Sequence, residues 1–445
     1  MLIFQNWYVY SILGLVMSQR IITSIVLLFL IPFLGIFCSS NKKPMNVLLI
    51  TVDTLRPDHL GYGGHFRNLS PNIDKFARES IVFTNAYSQS GWTLPSVATI
   101  LTGKYPKDHG AVDFHVKLNN ALPTMASILK EHGYDTRGYV SHLLLTPTYG
   151  LEKGFNRFDF SVLNQGDPHK ISTSRQLTDL VLGDIRIAKE PFFIWAHYFD
   201  PHFAYMGHQG WDAYGEAPID RYDQEIGYTD FYIGKLLEYL ERKGLNDRTI
   251  IIFTADHGEE FGDHGGRFHY TCFNEILRVP AIIKAPFLKP QIDNRPVEQI
   301  DFLPTLMAML NIPITGDYPG HNLLQAGERN QPIFIERERP PGYLQHTVIY
   351  EGYKLINIEP TDTMLIPESS RVTYPGLENV ILGSHLFNLN NDPKEMTNLL
   401  TTQASESEKL KALLASHFTG QAQTEERIQI DEALQEKLRK LGYLK

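Results

Sequence analysis

Val47-Leu48-Leu49-Ile50-Thr51-Val52-Asp53-Thr54 is the stretch on which the fold turns. It is a run of strand length, almost wholly apolar or β-branched, that ends abruptly in a carboxylate. A strand with one wet face alternates polar with apolar residues; a run without alternation is covered on both faces, the environment of a parallel sheet between helices. The same pattern recurs at Phe192-Phe193-Ile194-Trp195-Ala196, Ile250-Ile251-Ile252-Phe253 and Val279-Pro280-Ala281-Ile282-Ile283. Between these runs lie amphipathic stretches. The clearest predicts a helix over about residues 225–243, with Ile226, Ile233, Leu237 and Leu240 on one stripe and Gly244 as its stop. Strands alternating with helices give an α/β class: a large, mostly parallel central sheet covered by helices on both faces.

Past about Pro313 the apolar runs weaken, Pro and Gly become frequent, and short alternating segments such as 347–350 and 353–356 take over. This predicts a main domain over 46–315 and a smaller carboxy-terminal α+β subdomain over 316–445. Within the latter, Leu410, Leu413, Leu414, Leu434, Leu438 and Leu441 at helical spacing predict closing helices over 405–441.

The chain has 445 residues, 43% hydrophobic and 20% charged, which excludes disorder as the main state. Lys and Arg number 41 against 50 Asp and Glu, a net charge of −9, and no basic run offers a grip on phosphate backbones, so nucleic acid is not expected as a partner. Cys38 and Cys272 cannot build a disulfide framework. No charged residue lies between Arg20 and Lys42, and 21–37 is nearly all apolar, which predicts a signal segment or membrane anchor over 1–38 and a linker over 39–45. Met17-Ser18-Gln19-Arg20 would serve as the positive start of such a segment, with Met17 as the true first residue. Cys38 then becomes a candidate for lipidation in a mature lipoprotein, with a retained anchor as the alternative. Either way the main domain is expected outside the cytoplasm, in the cell envelope.

Three of the apolar runs lead into ionisable groups: Asp53 after the first, His197 and Asp200 after the second, Asp256 and His257 after the third. In open α/β sheets ligands bind outside the carboxyl ends of strands, where residues remote in sequence converge. Each alone has a plainer reading as a turn former or cap, and His197 reads best as a hydrogen-bonded core histidine. Residues 91–103 form a fourth component, a loop turning into a short helix with Pro95 in the first turn and Gly103 at the end. Thr93 falls at its start, as a simple cap or as a hydroxyl placed where the helix end favours an oxyanion.

The chain resembles the sulfatase branch of the alkaline phosphatase superfamily over nearly all of 46–445. "VLLITVDTLRPDHLGYGG" is similar to the family's opening strand with its metal-binding Asp, and "TLPSVATILTGKYPKDHG" to its nucleophile helix. "HYFDPHFAY", "TADHGEEFGDHGG", "HYTCFNEILRVPAII" and "LFNLNNDPKEMTNL" match later blocks in order, and "LRKLGYLK" is similar to a common family ending. The departures are chemical. Sulfatases carry a Cys or Ser that becomes formylglycine; Thr93 cannot form that aldehyde, and Val97 stands where the supporting Arg is usual. Thr at this position resembles phosphodiesterase, pyrophosphatase and phosphoethanolamine transferase relatives. Thr54 replaces a second metal Asp and His257 an Asn, favouring zinc or manganese over calcium or magnesium.

The resemblance implies a divalent ion held by Asp53, Thr93, Asp256 and His257, with Asp200 a further candidate, and Thr93 as nucleophile. His202 and His269 would contact the substrate and act as catalytic groups; alternatively Asp200, His202 and His269 would hold a second ion. Glu259 and Glu260 are expected to shape the loop after Asp256, and Tyr222, Asp223 and Glu225 to open the long helix. The implied activity is metal-dependent hydrolysis of a sulfate or phosphate ester in a small molecule, glycan or lipid. A phosphoethanolamine-type envelope transferase and a catalytically silent binding protein are the alternatives.

Overall fold

The computed structural model describes residues 44–164, 171–327, 329–339, 343–360, 382–419 and 426–440. The apolar segment 21–37, with Met17 and Cys38, lies outside them; among the described residues no helix is long and apolar enough to cross a membrane.

The opening run forms β1 (Asn46–Val52), buried at every position. In chain order the further strands are β2 (Ile81–Tyr87), β3 (Val116–Lys117), β4 (Asp135–Val140), β5 (Arg157–Asp159), β6 (Phe192–Tyr198), β7 (Thr249–Ala255), β8 (Ala281–Lys284) and β9 (Gln291–Glu298). Eight of these make the central sheet in the order β5-β4-β6-β1-β7-β8-β2-β9. Only β8 runs against its neighbours; the other pairings are parallel. β1, β6 and β7 are buried on both faces throughout, as an unalternating sequence requires. Val52 pairs with both Tyr198 and Ala255, so these three strands end level and their next residues emerge side by side.

Helices α1 (Pro71–Arg78), α2 (Thr93–Thr102), α3 (Met125–Glu131), α4 (Ser174–Ile185), α5 (Pro218–Arg242) and α6 (Phe302–Leu310) divide into two groups. α5 packs on α1 and α4; α2 packs on α3 and α6. α5 begins seven residues before the expected start, because Pro218 supplies a ready first turn after extended Ala217. Tyr222, Asp223 and Glu225 therefore lie inside the helix, buried, rather than at its opening.

A second, antiparallel sheet follows: β10 (Ile333–Arg339), β11 (Tyr343–Tyr350), β12 (Tyr353–Pro360) and β13 (Gly383–Asn388), in that order. Ile333, Ile335, Ile349 and Ile356 pack against Tyr87, Ile276 and Leu277. The alternate residues Val348, Leu355 and Leu386 pack against Leu410 and Leu414 of α7 (Ala404–Phe418). Period-two alternation thus lays one face on the main body and the other under a helix. Lys354, wholly buried on β12, pairs at 2.6 Å with buried Glu395, whose other oxygen accepts from the Asn274 amide, also at 2.6 Å. A two-residue strand β14 (Glu426–Arg427) pairs with β3, and α8 (Glu432–Lys440) buries Leu438 in the main core.

Candidate active site

β1, β6 and β7 deliver ionisable groups to one place because they end in register, and β4 joins them, Val140 pairing with His197. α2 enters from the end of β2. Its backbone opens at extended Trp92 without any side-chain cap, and it closes at Gly103 in the left-handed conformation. The Thr93 hydroxyl is therefore not a cap: it lies 3.5 Å from His257 Nε2 and beside the Asp53 carboxylate, which it works to lower against the larger effect of burial. His109 braces this helix, donating from Nε2 to Pro95 O at 3.1 Å while its Nδ1 accepts from the Ala111 amide.

Asp53, Asp256 and His257 are wholly buried and Thr93 is 1% exposed. His257 Nε2 is 3.8 Å from Asp53 Oδ1 and 3.5 Å from Asp256 Oδ2. The other Asp256 oxygen accepts from the Thr54 and His257 amides, at 3.1 and 2.8 Å. That leaves Asp53 Oδ1 and Asp256 Oδ2 buried without a hydrogen-bond partner among the described residues. Burial, then the Glu259 carboxylate, push Asp53 well above the usual carboxylate range; burial, then Asp53 itself, do the same to Asp256. Two buried carboxylates with orphaned oxygens beside an imidazole and a hydroxyl are a donor set that fits a divalent cation. Thr54 is held at φ 53, rare for a β-branched residue, so that its amide reaches Asp256. Gly258 must lack a side chain, since a Cβ there would sit 2.0 Å from Glu275 O.

Five histidines crowd this point. His257 donates from Nδ1 to Gly258 O at 2.8 Å, His202 from Nδ1 to Phe203 O at 2.7 Å, and His269 from Nδ1 to Glu259 Oε1 at 3.1 Å. In their neutral forms each presents an Nε2 lone pair. The His269 ring lies 4.6 Å from His257 and 5.5 Å from His202. His142 is the reverse case: its Nδ1 accepts the Leu144 amide at 3.0 Å, so Nε2 carries the proton, 3.7 Å from Asp53 Oδ2. His197 places Nε2 3.4 Å from the same oxygen. Burial lowers His197 to about 4 and holds His142 far below the ordinary imidazole value, with the neighbouring histidines adding to the effect. The half-buried rings of Phe203 and Phe268, next in sequence to His202 and His269, meet edge to face at 4.9 Å.

The structure thus brings together Asp53, Thr93, Asp256, His257, His202 and His269. It does not bring Asp200 in as a ligand. Both Asp200 oxygens accept from the start of α4, Oδ1 from the Thr173 amide and hydroxyl at 2.6 Å and Oδ2 from the Ser174 amide at 2.7 Å, so the carboxylate is spent on a helix end. The second-ion set of Asp200, His202 and His269 loses its carboxylate for the same reason. Glu259 does more than shape its loop, since it holds the His269 ring. Glu260 accepts the His264 and Gly266 amides, as a loop-shaping residue would. His142 was missed by sequence reasoning; it stands two residues past β4, the position type that yielded the others.

A sequence-family model, Sulfatase, matches residues 45–312. The chain is 27% identical over 339 residues to an ulvan-active sulfatase of Formosa agariphila, covering 65% of this chain and 66% of that protein. It is 23% identical to a choline-sulfatase of Rhizobium meliloti, covering 81% and 83%. In structure it is similar to a phosphonate monoester hydrolase of Agrobacterium radiobacter, with a TM-score of 0.69 at 18% identity, covering 87% of this chain and 98% of that one. With the family match spanning more than half its length, the chain belongs to the sulfatase family.

Proposed function

We propose that the protein hydrolyses a sulfate, phosphate or phosphonate ester with Thr93 as the nucleophile. The observation that carries this is the Thr93 hydroxyl at the uncapped start of α2, 3.5 Å from His257 and beside Asp53. Asp53, Thr93, Asp256 and His257 would hold a divalent ion, zinc or manganese by the imidazole and low charge of the set. When bound, the ion supplies the positive charge that makes a threonine hydroxyl acidic enough to react near neutral pH. Thr93 Oγ1 forms the bond to sulfur or phosphorus as the bond to the ester oxygen breaks. His269, held by Glu259 at its Nδ1, would in its protonated form give a proton to that leaving oxygen, and His202 stands beside it. Water then adds to sulfur or phosphorus as the bond to Thr93 Oγ1 breaks: one water proton returns to His269, and the Thr93 oxygen is left deprotonated, as it was after losing its proton to solvent before the attack. Because Thr93 cannot become formylglycine, a phosphorus ester is favoured over a sulfate. The chain spans 66% of the ulvan-active relative, so the glycan or small-molecule part of the substrate is itself a proposal. The sequence of 21–37 alone supports an exported, membrane-tethered location.

The test pairs an aryl sulfate with a phosphodiester and a phosphonate monoester. Turnover of both phosphorus esters, lost on Thr93→Ala, is the expected result. Turnover of the sulfate alone would overturn the phosphorus reading, and undiminished turnover by Thr93→Ala would overturn the nucleophile.

A further inference from the structure

We propose that His197 is a positioning residue for Asp53: a hydrogen-bond donor fixed by a buried relay from Trp195 through Thr51, and not itself a ligand. By distance alone the opposite reading is open, since ligand atoms of Asp53, His197 and Asp256 all lie within 4.8 Å of one another. Hydrogen bookkeeping decides against it. Trp195 Nε1, which can only donate, lies 2.9 Å from Thr51 Oγ1. Thr51 Oγ1 lies 2.8 Å from His197 Nδ1. All three side chains are wholly buried on the paired strands β1 and β6. The Thr51 hydroxyl accepts from Trp195, so its own hydrogen goes to His197 Nδ1. If Nδ1 carried a hydrogen instead, the hydroxyl would accept twice and bury an unpaired donor. Nδ1 is therefore the acceptor and Nε2 carries the proton, aimed at Asp53 Oδ2 at 3.4 Å.

A second ring makes the same choice by a different route. His142 Nδ1 accepts the Leu144 amide, which puts its Nε2 hydrogen on the side of that same oxygen. Asp53 Oδ2 is thus flanked by two N–H groups, and Oδ1, without a hydrogen-bond partner, is left to face His257. The consequence is a carboxylate committed to offering one oxygen. Its functional half rests on the reading of Asp53 as an ion-holding residue; the tautomer itself can be measured without any ion.

The test uses the full chain labelled with nitrogen-15 histidine, metal-free and zinc-loaded, with the His197 signals identified by their loss in His197→Gln. Long-range proton–nitrogen correlation is expected to show Nδ1 bare and Nε2 protonated in both states. A protonated Nδ1, or an Nε2 resonance that changes to that of a coordinated nitrogen on adding zinc, would overturn the proposal. Zinc affinity by competition with a chromophoric chelator is the second readout. Thr51→Val is expected to weaken zinc about 10- to 100-fold, the range for loss of an outer partner, with the same number of ions bound and with Thr51→Ser restoring most of the loss. Wild-type affinity in Thr51→Val would overturn the relay. Failure of the wild-type chain to bind zinc, with the tautomer as expected, would instead overturn the ion-holding reading of Asp53.

Discussion

Asp53 and Asp223 are both buried carboxylates with histidines beside them, three at the first and two at the second, and they behave in opposite ways. Asp223 Oδ1 accepts from His59 Nδ1 at 2.6 Å, and Oδ2 accepts from Arg67 at 2.6 Å with His65 Nε2 at 3.3 Å. Burial works to raise Asp223, but His59 and Arg67 outweigh it, and the carboxyl ends below its usual range. Asp53 has no arginine, keeps one oxygen without a hydrogen-bond partner, and ends well above that range. The residue types barely differ; the presence of a fixed cation does. The Asp223 group is complete as folded, whereas the Asp53 group keeps a buried carboxylate oxygen that the proposed ion would satisfy.

The largest effect that would test this contrast is Thr93→Ala, expected to lower kcat about 10³-fold or more in steady-state assays while thermal unfolding changes little. Next, dialysis against a chelator is expected to abolish turnover and lower the melting temperature, both restored by zinc or manganese. An ion at 100 times its Kd contributes about 2.7 kcal/mol, and scanning calorimetry with and without it reads this. Third, Arg67→Met, which strips Asp223 of its fixed cation, is expected to cost about 2 kcal/mol in urea unfolding and leave the number of bound ions unchanged. Ion loss in that variant would erase the distinction between the two groups. The smallest effect concerns His264, which joins Glu275 at 2.7 Å and Lys394 O at 3.0 Å. Burial pushes His264 down, but Glu275 more than offsets this, leaving it raised to about 8. Its stabilisation is then fully present below about pH 6.5 and lost as pH rises through 8, by under about 1 kcal/mol after solvent screening. Urea titrations at pH 6 and 9, on wild type and His264→Gln, measure it.

Reading the sequence located β1, β6 and β7 because continuous apolar runs have few other uses. It passed over β4, where Asp135 and Arg137 interrupt the pattern and pair with each other, and β9, an edge strand with exposed Gln291 and Ile292 that tolerates Pro296. The miss of His142 follows from the miss of β4: a histidine is informative only once the strand that delivers it is known. Asp53, Thr93, Asp256 and His257 were legible because each comes within two residues of the end of a readable strand or opens a helix bounded by Gly103. Asp200 follows β6 just as closely, yet its partners Thr173 and Ser174 open a helix whose position no local signal gives. His197, expected as a core histidine, is one by its bond to Thr51, but only the β1–β6 register reveals that its other nitrogen faces Asp53.

The Lys354–Glu395 pair sets how this protein comes apart. Peeling the small sheet from the main body would break the bonds that both members of the pair make to Asn274, and would uncover Ile276 and Leu277 at the same stroke. Melting is therefore expected as one cooperative event, and a chain cut at residue 315 is expected to precipitate rather than persist as a trimmed hydrolase.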